Sequence, residues 1–307
     1  MPEVKYAAID VGTNSTKMTV AEKDSEGRLH VLRVESEITR LGKGVDRTGR
    51  LDAAAMDRTL AAISRFHNIV VGMGVEKLAA AGTSALRDAD NGAEFCTRIQ
   101  AETGIDVRVI SGDQEAQYAY WAARSDTDLA IQQSADLLVF DIGGGSTELT
   151  FGDSHGIRRH SSLDIGAVRL TERCMHSDPP LQEEIEHAKE IASKALATFD
   201  LSAGIRPRIV GIGGTAVNIA GMSRPDATVH GAIITKDTVV GLLVRMASMT
   251  LGERRRLEGL EPERADVIVA GAIVLDRLLD SFHADEFVVS VRGLRFGLIA
   301  EMASDAA

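Results

Sequence analysis

The chain has 307 residues, of which 44% are hydrophobic and 26% charged, a balance typical of a folded globular protein with room for two domains. A formal net charge of −11 and an aromatic content of 4% argue against a surface built to hold nucleic acid. Two cysteines, Cys96 and Cys174, exclude a disulfide framework. The apolar runs are too short to span a bilayer, and the first residues do not resemble a signal peptide. We therefore expect a cytoplasmic protein without a membrane segment.

The first part of the chain predicts three strands followed by alternating helices and strands. Asp52 is placed to cap the first long helix. The predicted strands are Lys5–Asp10, Thr16–Ala21, Leu29–Glu37, Lys77–Ala81 and Asp106–Ile110. The predicted helices are Leu51–Val71, Ala93–Thr103 and Asp113–Arg124.

The same order of elements then begins again. Pro262 suits the first turn of a long helix that ends near Phe282. The predicted strands are Asp136–Asp141, Thr147–Phe151, His155–Leu163, Arg208–Ile212, Ala232–Ile234 and Glu286–Ser290. The other predicted helices are Leu181–Ala197, Thr215–Met222, Thr235–Met249 and Leu294–Met302.

The two halves share a local pattern, because the segment Asp10–Met18 aligns with Asp141–Leu149. Each segment reads Asp, apolar, Gly, two small or polar residues, Ser-Thr, a charge and an apolar residue, and each connects two predicted strands. Such a duplication predicts two similar α/β domains that face each other across a cleft. We expect domain I over residues 1–133 and domain II over 134–307, with the helix at about 293–307 as a candidate to pack back on domain I. The polar stretch Asp126–Ser134 lies near this boundary.

Glycine turns between strands expose consecutive backbone N–H groups, which attract anionic oxygens. A tight hairpin would explain one such turn, but it needs no carboxylate at the end of its strand. The duplicated acidic residue therefore favours phosphate binding over two ordinary hairpins. The candidate phosphate-binding residues are Gly12, Thr13, Asn14 and Ser15 in the first loop and Gly144, Gly145, Ser146 and Thr147 in the second loop.

The second loop has the composition of a magnesium site. Asp141 and Glu148 flank it, and the Gly143 carbonyl is a candidate third ligand. Carboxylates, phosphate oxygens and water are the usual ligands of Mg²⁺, and Mn²⁺ is the alternative metal. A third glycine cluster follows a predicted strand and opens a helix, where backbone N–H groups and the helix dipole favour another phosphate. Its candidate residues are Gly213, Gly214 and Thr215.

Taken together, these motifs resemble the exopolyphosphatase/guanosine pentaphosphate phosphohydrolase (Ppx/GppA) family. The matching segments run in family order along the whole chain: Ala8–Ser15, Thr39–Gly44, Ala81–Ala89, Ile110–Ala116, Phe140–Glu148, Gly211–Thr215 and Arg292–Arg295. The resemblance implies two duplicated ribonuclease H-like domains of the actin-like ATPase type around an interdomain cleft. It also implies that the chain is a short form without the C-terminal helical domains of longer relatives, which puts long-chain processivity in doubt.

The resemblance also implies roles for individual residues. Glu115 corresponds to the glutamate that activates the attacking water, and Arg87 to an arginine that contacts phosphate. The resemblance places Asp10, Asn14 and Ser15 in the first phosphate loop, and Asp141, Gly143 and Glu148 in the metal-binding loop. Gln114 departs from the family pattern, which often has a second acidic residue there. No role is assigned to Arg292 or Phe296, which lie in a variable motif.

Other charged residues have simpler interpretations. Arg40 and Lys43 suit either an anionic channel or an exposed loop. Arg254–Arg256 is expected to be a solvated helix face, and the histidines show no metal-ligand spacing.

The expected activity is metal-dependent removal of terminal phosphate from inorganic polyphosphate, with guanosine pentaphosphate as the alternative substrate. A small-molecule kinase or a non-catalytic nucleotide-binding regulator of the same superfamily is a more remote alternative. No nucleic acid and no membrane is expected as a partner, and a homodimer is one option for the assembly.

Overall fold

A computed structural model describes residues 4–24, 28–126, 129, 136–153, 155–201 and 205–304. The chain divides into two compact units, one formed by Met1–Tyr118 with Leu294–Ala307 and the other by Ala119–Gly293. The first break of this division, between Tyr118 and Ala119, lies within the helix Gly112–Arg124. The domain boundary that we predict at residues 133 and 134 lies outside the described residues.

Eleven strands among the described residues form two sheets. The first sheet contains β1 (Val4–Val11), β2 (Thr16–Lys23), β3 (Leu29–Glu37), β4 (Lys77–Gly82) and β5 (Val107–Val109). The second sheet contains β6 (Leu137–Ile142), β7 (Thr147–Asp153), β8 (Gly156–Leu163), β9 (Arg208–Ile212), β10 (Ile233–Thr235) and β11 (Glu286–Val289). Every predicted strand is confirmed, with bounds that differ by at most two residues.

The helices alternate with the strands after the third strand of each sheet. The first unit has α1 (Val45–Thr48), α2 (Ala53–Gly72), α3 (Ser84–Asp88), α4 (Gly92–Thr103) and the start of α5 (Gly112–Arg124). The second unit has α6 (Ala167–Cys174), α7 (Gln182–Leu196), α8 (Gly213–Ser223), α9 (Lys236–Ala247), α10 (Leu251–Arg254) and α11 (Ile268–Ser281). The last helix, α12 (Leu294–Ser304), belongs to the first unit.

Both sheets have the strand order of a ribonuclease H-like fold. The first is ordered β3-β2-β1-β4-β5, and the second contains the same arrangement as β8-β7-β6-β9-β11, with β10 added at the edge. In each sheet, the first three strands pair in antiparallel fashion. Two further strands run parallel to the first: β4 and β5 in the first sheet, and β9 and β11 in the second. The predicted fold of two duplicated actin-like domains is confirmed by this repeated topology.

The central strand of the first unit is buried on both faces. Ile9 and Val11 pack with residues of α2 and α4, whereas Tyr6 and Ala8 pack on the opposite face with Leu298 of α12. Successive side chains of a strand point to opposite faces, so this strand needs helices on both sides. Asp52 caps α2 as predicted, since its carboxylate accepts a hydrogen bond from the Ala55 N–H at 3.0 Å.

The central strand of the second unit is also buried on both faces. Phe140 and Ile142 pack with residues of α8 and α11, and Val139 packs with Tyr120 and Ala123 of α5. In both units, this packing holds the end of the first strand at a fixed place at the carboxyl edge of the parallel strands. Ligands of open α/β sheets bind at such edges.

Two predictions for the second unit are wrong. The helix expected from Pro262 to Phe282 is a 3₁₀ turn at Pro262–Arg264 followed by α11, which begins at Ile268. Arg254 is 5% exposed and donates to the Met246 carbonyl at 3.3 Å, so Arg254–Arg256 is not a uniformly solvated face. Burial lowers the pKa of Arg254, and the nearby Asp178 and Asp266 oppose this shift.

Across the described ranges, no helix is both long and apolar enough to cross a membrane.

Candidate active site

The first loop joins β1 to β2 and is closed by a backbone hydrogen bond from the Gly12 N–H to the Ser15 carbonyl at 3.1 Å. The carbonyls of Thr13 and Asn14 accept hydrogen bonds from the segment that follows β3. The Thr13 carbonyl accepts from the Gly42 N–H at 2.9 Å, and the Asn14 carbonyl accepts from the N–H groups of Thr39 and Arg40 at 3.1 and 2.9 Å.

The second loop joins β6 to β7 and repeats this geometry. The Gly143 N–H donates to the Ser146 carbonyl at 2.9 Å, as its counterpart Gly12 does in the first loop. The start of α6 holds the carbonyls: Ala167 N–H donates to Gly143 at 2.8 Å, and Val168 N–H donates to Gly144 at 2.8 Å.

A trans peptide places its C=O and N–H on opposite sides, so an anchored carbonyl also fixes the direction of the next N–H. In the second loop, this rule turns the N–H groups of Gly144 and Gly145 away from α6. In the first loop, it turns those of Asn14 and Ser15 away from the 39–42 segment. Both loops therefore hold consecutive N–H groups in one direction, which is the arrangement of an anion-binding nest.

The residues that flank the loops differ in charge between the units. Across the β1–β2 pair, Asp10 lies directly opposite Lys17, whereas across the β6–β7 pair Asp141 lies directly opposite Glu148. Side chains at opposite positions share a face, with Cβ atoms about 4.5–5.5 Å apart. Two carboxylates so placed repel each other unless a cation lies between them, so a cation would be better accommodated at the second loop than at the first.

Both carboxylates of the second loop are positioned by their surroundings. Glu148 is 2% exposed, and its Oε1 accepts a hydrogen bond from the Ser162 hydroxyl at 2.8 Å. The Asp141 carboxylate lies against Gly213, where a Cβ would come within 2.0 Å of Oδ1. Gly213 also has φ +80°, a backbone conformation that side chains disfavour. The third glycine cluster thus forms a cradle for Asp141.

The carboxylate oxygens that Asp141 and Glu148 supply are suitable ligands for a divalent metal. Among the described residues no group of three or more His, Cys, Asp or Glu side chains is arranged to hold a metal ion. Two carboxylates therefore leave most coordination positions to water and phosphate, which is the preference of Mg²⁺. The Gly143 carbonyl already accepts from Ala167, but a carbonyl oxygen has a second lone pair.

Glu115 and Arg87 lie near each other in the first unit. Glu115 is in the first turn of α5, and Arg87 is in the last turn of α3, which follows β4. The Arg87 guanidinium donates to the Ile110 carbonyl at 3.0 Å and lies 3.7 Å from the Glu115 carboxylate. The edge of the sheet therefore brings together the two residues that the family resemblance singles out in this unit.

Two predicted phosphate-binding hydroxyls are engaged elsewhere. Thr147 donates its hydroxyl to the Ile165 carbonyl, and Thr215 donates to the Ile142 carbonyl at 3.1 Å. Both side chains are almost fully buried. Their hydroxyl groups fasten the loops within the unit, so any contribution of these residues to a phosphate comes from the backbone N–H.

The structure adds two arginines to this site: Arg264, which the sequence alone does not single out, and Arg295, which ends the matching segment Arg292–Arg295 but has no role assigned from the sequence. Arg264 is 8% exposed, and its guanidinium packs against Gly214, whose Cβ would lie 2.2 Å from Nη1. Arg295 of α12 donates to the Met18 carbonyl at 3.0 Å and lies close enough to Asp10 for their charges to interact. Both lie far along the chain from the residues they contact, so local spacing does not indicate these contacts.

The electrostatics of the first loop centre on Asp10. Burial raises the pKa of Asp10 above its ordinary value, and the positive charges of Lys17 and Arg295 oppose this shift. Burial lowers the pKa of Arg295, and Asp10 opposes that shift. Asp10 is therefore an acidic group whose charge depends on two neighbouring cations.

A duplicated ribonuclease H-like topology, with a glycine nest after the first strand of each copy, defines a protein of the actin-like fold with two equivalent glycine loops. Residues 19–306 match the model of the Ppx/GppA phosphatase family. The chain is 33% identical to exopolyphosphatase 2 of Mycobacterium tuberculosis, over 99% of this chain and 100% of that protein.

Solved structures agree with this match. The Aquifex aeolicus member of the Ppx/GppA family is 32% identical and superposes with a TM-score of 0.82, covering 99% of each chain. An exopolyphosphatase from Cytophaga hutchinsonii is 26% identical and superposes with a TM-score of 0.87, covering 98% of each chain. The chain belongs to the Ppx/GppA phosphatase family.

Proposed function

We propose that the chain is an exopolyphosphatase, which hydrolyses the terminal phosphoanhydride bond of inorganic polyphosphate. The observation that carries this proposal is the pair of anchored N–H nests, Gly12–Ser15 and Gly143–Ser146. Each nest offers consecutive N–H donors to anionic oxygens, which suits a substrate built of phosphates. The relatives named exopolyphosphatase support the same substrate.

In the reaction that we propose, water attacks the terminal phosphorus while the Glu115 carboxylate accepts its proton. The bond from that phosphorus to the bridging oxygen breaks. The electrons of this bond remain on the shortened chain, which leaves as a phosphate anion. Such a leaving group needs no proton from a general acid, which is consistent with a single catalytic carboxylate.

Arg87 and the loop N–H groups would bind and orient the phosphates. Charge on the transferring oxygens would be stabilised by donors whose direction is set before the substrate arrives, and this is the main source of rate in phosphoryl transfer. Arg264, which packs against Gly214, adds a cation beside the third glycine cluster.

Asp141 and Glu148 would hold the divalent metal, with Ser162 orienting Glu148. When bound, Mg²⁺ or Mn²⁺ supplies Lewis-acid stabilisation of phosphate charge. The opposite placement of the two carboxylates across β6 and β7 supports this assignment, whereas the Asp10–Lys17 pair carries no such need for a cation.

The test is phosphate release by the purified chain from polyphosphate, guanosine pentaphosphate and ATP, each with Mg²⁺ and with chelator. We expect the highest kcat/KM for polyphosphate and loss of activity with chelator. A preference for guanosine pentaphosphate would assign the alternative substrate of the family. Phosphate transfer from ATP to an acceptor would instead indicate a kinase, and binding without turnover would indicate a regulatory protein.

The cytoplasmic location, the interdomain cleft and a homodimer stay predictions. Fractionation of cells that express the tagged chain would test the first of them.

A further inference from the structure

The second loop contains a peptide unit whose carbonyl is held by a side chain. Along Gly143 and Gly144, the carbonyls accept from backbone N–H groups at the start of α6. The next carbonyl, that of Gly145, accepts from the Nε–H of Arg169 at 2.6 Å. The Arg169 side chain is 13% exposed, so this contact is largely shielded from water.

In the first loop, the equivalent carbonyl is held by backbone donors and not by a side chain. Asn14 occupies the position equivalent to Gly145, and its carbonyl accepts from two backbone N–H groups, those of Thr39 and Arg40. Backbone donors persist whatever side chain the residue carries. The second loop therefore depends on the identity of one residue, whereas the first loop does not.

The direction of the Ser146 N–H follows from this contact. Because C=O and N–H point to opposite sides of a trans peptide, holding the Gly145 carbonyl toward the Arg169 guanidinium turns the Ser146 N–H away from that guanidinium. Without an anchor, a peptide at the end of a run of three glycines has wide conformational freedom, and ordering it on binding costs free energy. A buried Nε–H is a directional donor, because the guanidinium is planar.

The approach of α6 to the loop is itself constrained. A Cβ on Gly166 would lie 2.4 Å from the Gly144 carbonyl oxygen and 2.6 Å from the Ser146 nitrogen, so the helix can start this close to the loop because residue 166 is a glycine. Asp164 lies 3.9 Å from the Arg169 guanidinium but is 84% exposed, so it contributes little to holding the side chain.

We propose that Arg169 is a positioning residue for phosphate binding, which orients the Gly145–Ser146 peptide so that the Ser146 N–H joins the second nest. It acts through the peptide and does not contact the reacting atoms. This inference rests on the proposed function for its substrate, inorganic polyphosphate, but the orientation of the peptide is separately measurable.

The experiment compares Arg169→Ala, Arg169→Lys and the control Arg173→Ala, which removes the same charge from an exposed position of the same helix. Binding of tripolyphosphate is measured by calorimetry, and kcat and KM are measured with polyphosphate. We expect Arg169→Ala to raise the dissociation constant about tenfold or more, the scale of a hydrogen bond to a charged group, and Arg173→Ala to leave it unchanged. Ethylguanidine should restore part of the loss in Arg169→Ala.

Arg169→Lys separates orientation from charge. It retains the positive charge but lacks the planar Nε–H donor, so we expect it to bind tripolyphosphate several-fold more weakly than the unaltered chain. Affinity equal to that of the unaltered chain would overturn the positioning role, because charge alone would then suffice. Equal affinities of Arg169→Ala and Arg173→Ala would also overturn it.

Amide hydrogen exchange gives a readout that does not depend on activity. In the substrate-free chain, Arg169→Ala should change the exchange of the loop 143–147 while peptides from the first loop stay as they are. Unchanged exchange in both loops would contradict the proposed anchor. If the unaltered chain released no phosphate from polyphosphate, the proposed function would fail, but the exchange comparison would still decide the role of Arg169. Thermal melting of each variant shows whether the whole unit remains folded.

Discussion

The Nη1 atom of Arg87 lies 3.7 Å from the Oε2 atom of Glu115, and the same guanidinium donates to the Ile110 carbonyl. This distance is that of an ion pair and is too long for a hydrogen bond. The arrangement places a cation beside the proposed general base. If Arg87 binds phosphate as we propose, this ion pair links phosphate binding to the residue that is to accept the proton.

Changing Glu115 to Gln should lower kcat about 10²- to 10⁴-fold, because the amide cannot accept the proton of the attacking water. The side chain keeps its size, so the dissociation constant for polyphosphate should change little. Steady-state kinetics and calorimetry on one preparation would check both. Asp113→Asn is the control, because it removes an exposed carboxylate from the same helical turn. Near-normal turnover in Glu115→Gln would remove this residue from the mechanism.

Changing Arg87 to Ala should weaken polyphosphate binding about tenfold and make it less sensitive to salt, since an ionic contact is lost. Titrations at two ionic strengths would measure this. Arg254 is unsuitable as a control because it is buried, whereas Arg256 is exposed on the surface. If Arg256→Ala reduced affinity as much as Arg87→Ala, the loss of affinity would be a general effect of the protein's charge and not of a specific contact.

Asp141→Asn and Glu148→Gln should each raise the Mg²⁺ concentration needed for half-maximal activity, by about tenfold or more. The physical reason is the loss of one of two anionic oxygens that face each other across β6 and β7. Glu183→Gln, on the exposed face of α7, provides a control of equal charge change. Metal titration of activity is the measurement, and an unchanged requirement in both variants would rule out this site.

Gly213→Ala should reduce activity more than its backbone strain explains. At φ +80° an alanine costs about 1–2 kcal/mol in folding, and here its Cβ would also displace the Asp141 carboxylate. Gly74→Ala is matched to it, because Gly74 has φ +65° with open space around its Cβ position. Both variants should lose similar stability by thermal melting, but the Mg²⁺ requirement should rise in Gly213→Ala alone. Equal metal requirements would mean that the glycine does not position Asp141.

Asp10→Asn should stabilise the chain at neutral and alkaline pH. Because burial raises the pKa of Asp10, its favourable contribution to folding is complete below the ordinary value of 3.8 and is lost as pH rises through the folded-state pKa. An amide avoids that loss. Melting temperatures from pH 4 to pH 8 should show a gain that grows with pH, while the exposed Asp90→Asn shows no such trend. A gain independent of pH would indicate a cause other than ionisation.

The repeated order of elements could be predicted because buried strands and amphipathic helices leave different periodicities in the chain. The aligned segments Asp10–Met18 and Asp141–Leu149 indicated two loops of one geometry, and both loops close with the same N–H to carbonyl bond. The glycines and carboxylates of the candidate site could also be predicted, because they lie close together in the sequence. Each loop carries its own glycines and its own acidic residue within a few positions.

What the tertiary structure decided are the contacts between distant segments. Pro262–Arg264 forms a 3₁₀ turn and not the first turn of an α-helix, and the Arg264 side chain packs against Gly214. The helical pattern of the sequence does not indicate this contact. Arg254 is buried because Asp178 and the Met246 carbonyl lie beside it, although a run of three arginines suggests a solvated face.

The sequence alone therefore determined the repeated α/β topology, the two glycine loops and the acidic residues beside them, since each depends on the period of burial or on neighbours in the chain. The structure decided which carbonyls α6 holds, that Arg169 anchors Gly145, and that the hydroxyls of Thr147 and Thr215 face inward. These features depend on directions in space, because a peptide or side chain turns toward partners that are distant along the chain and become neighbours through packing.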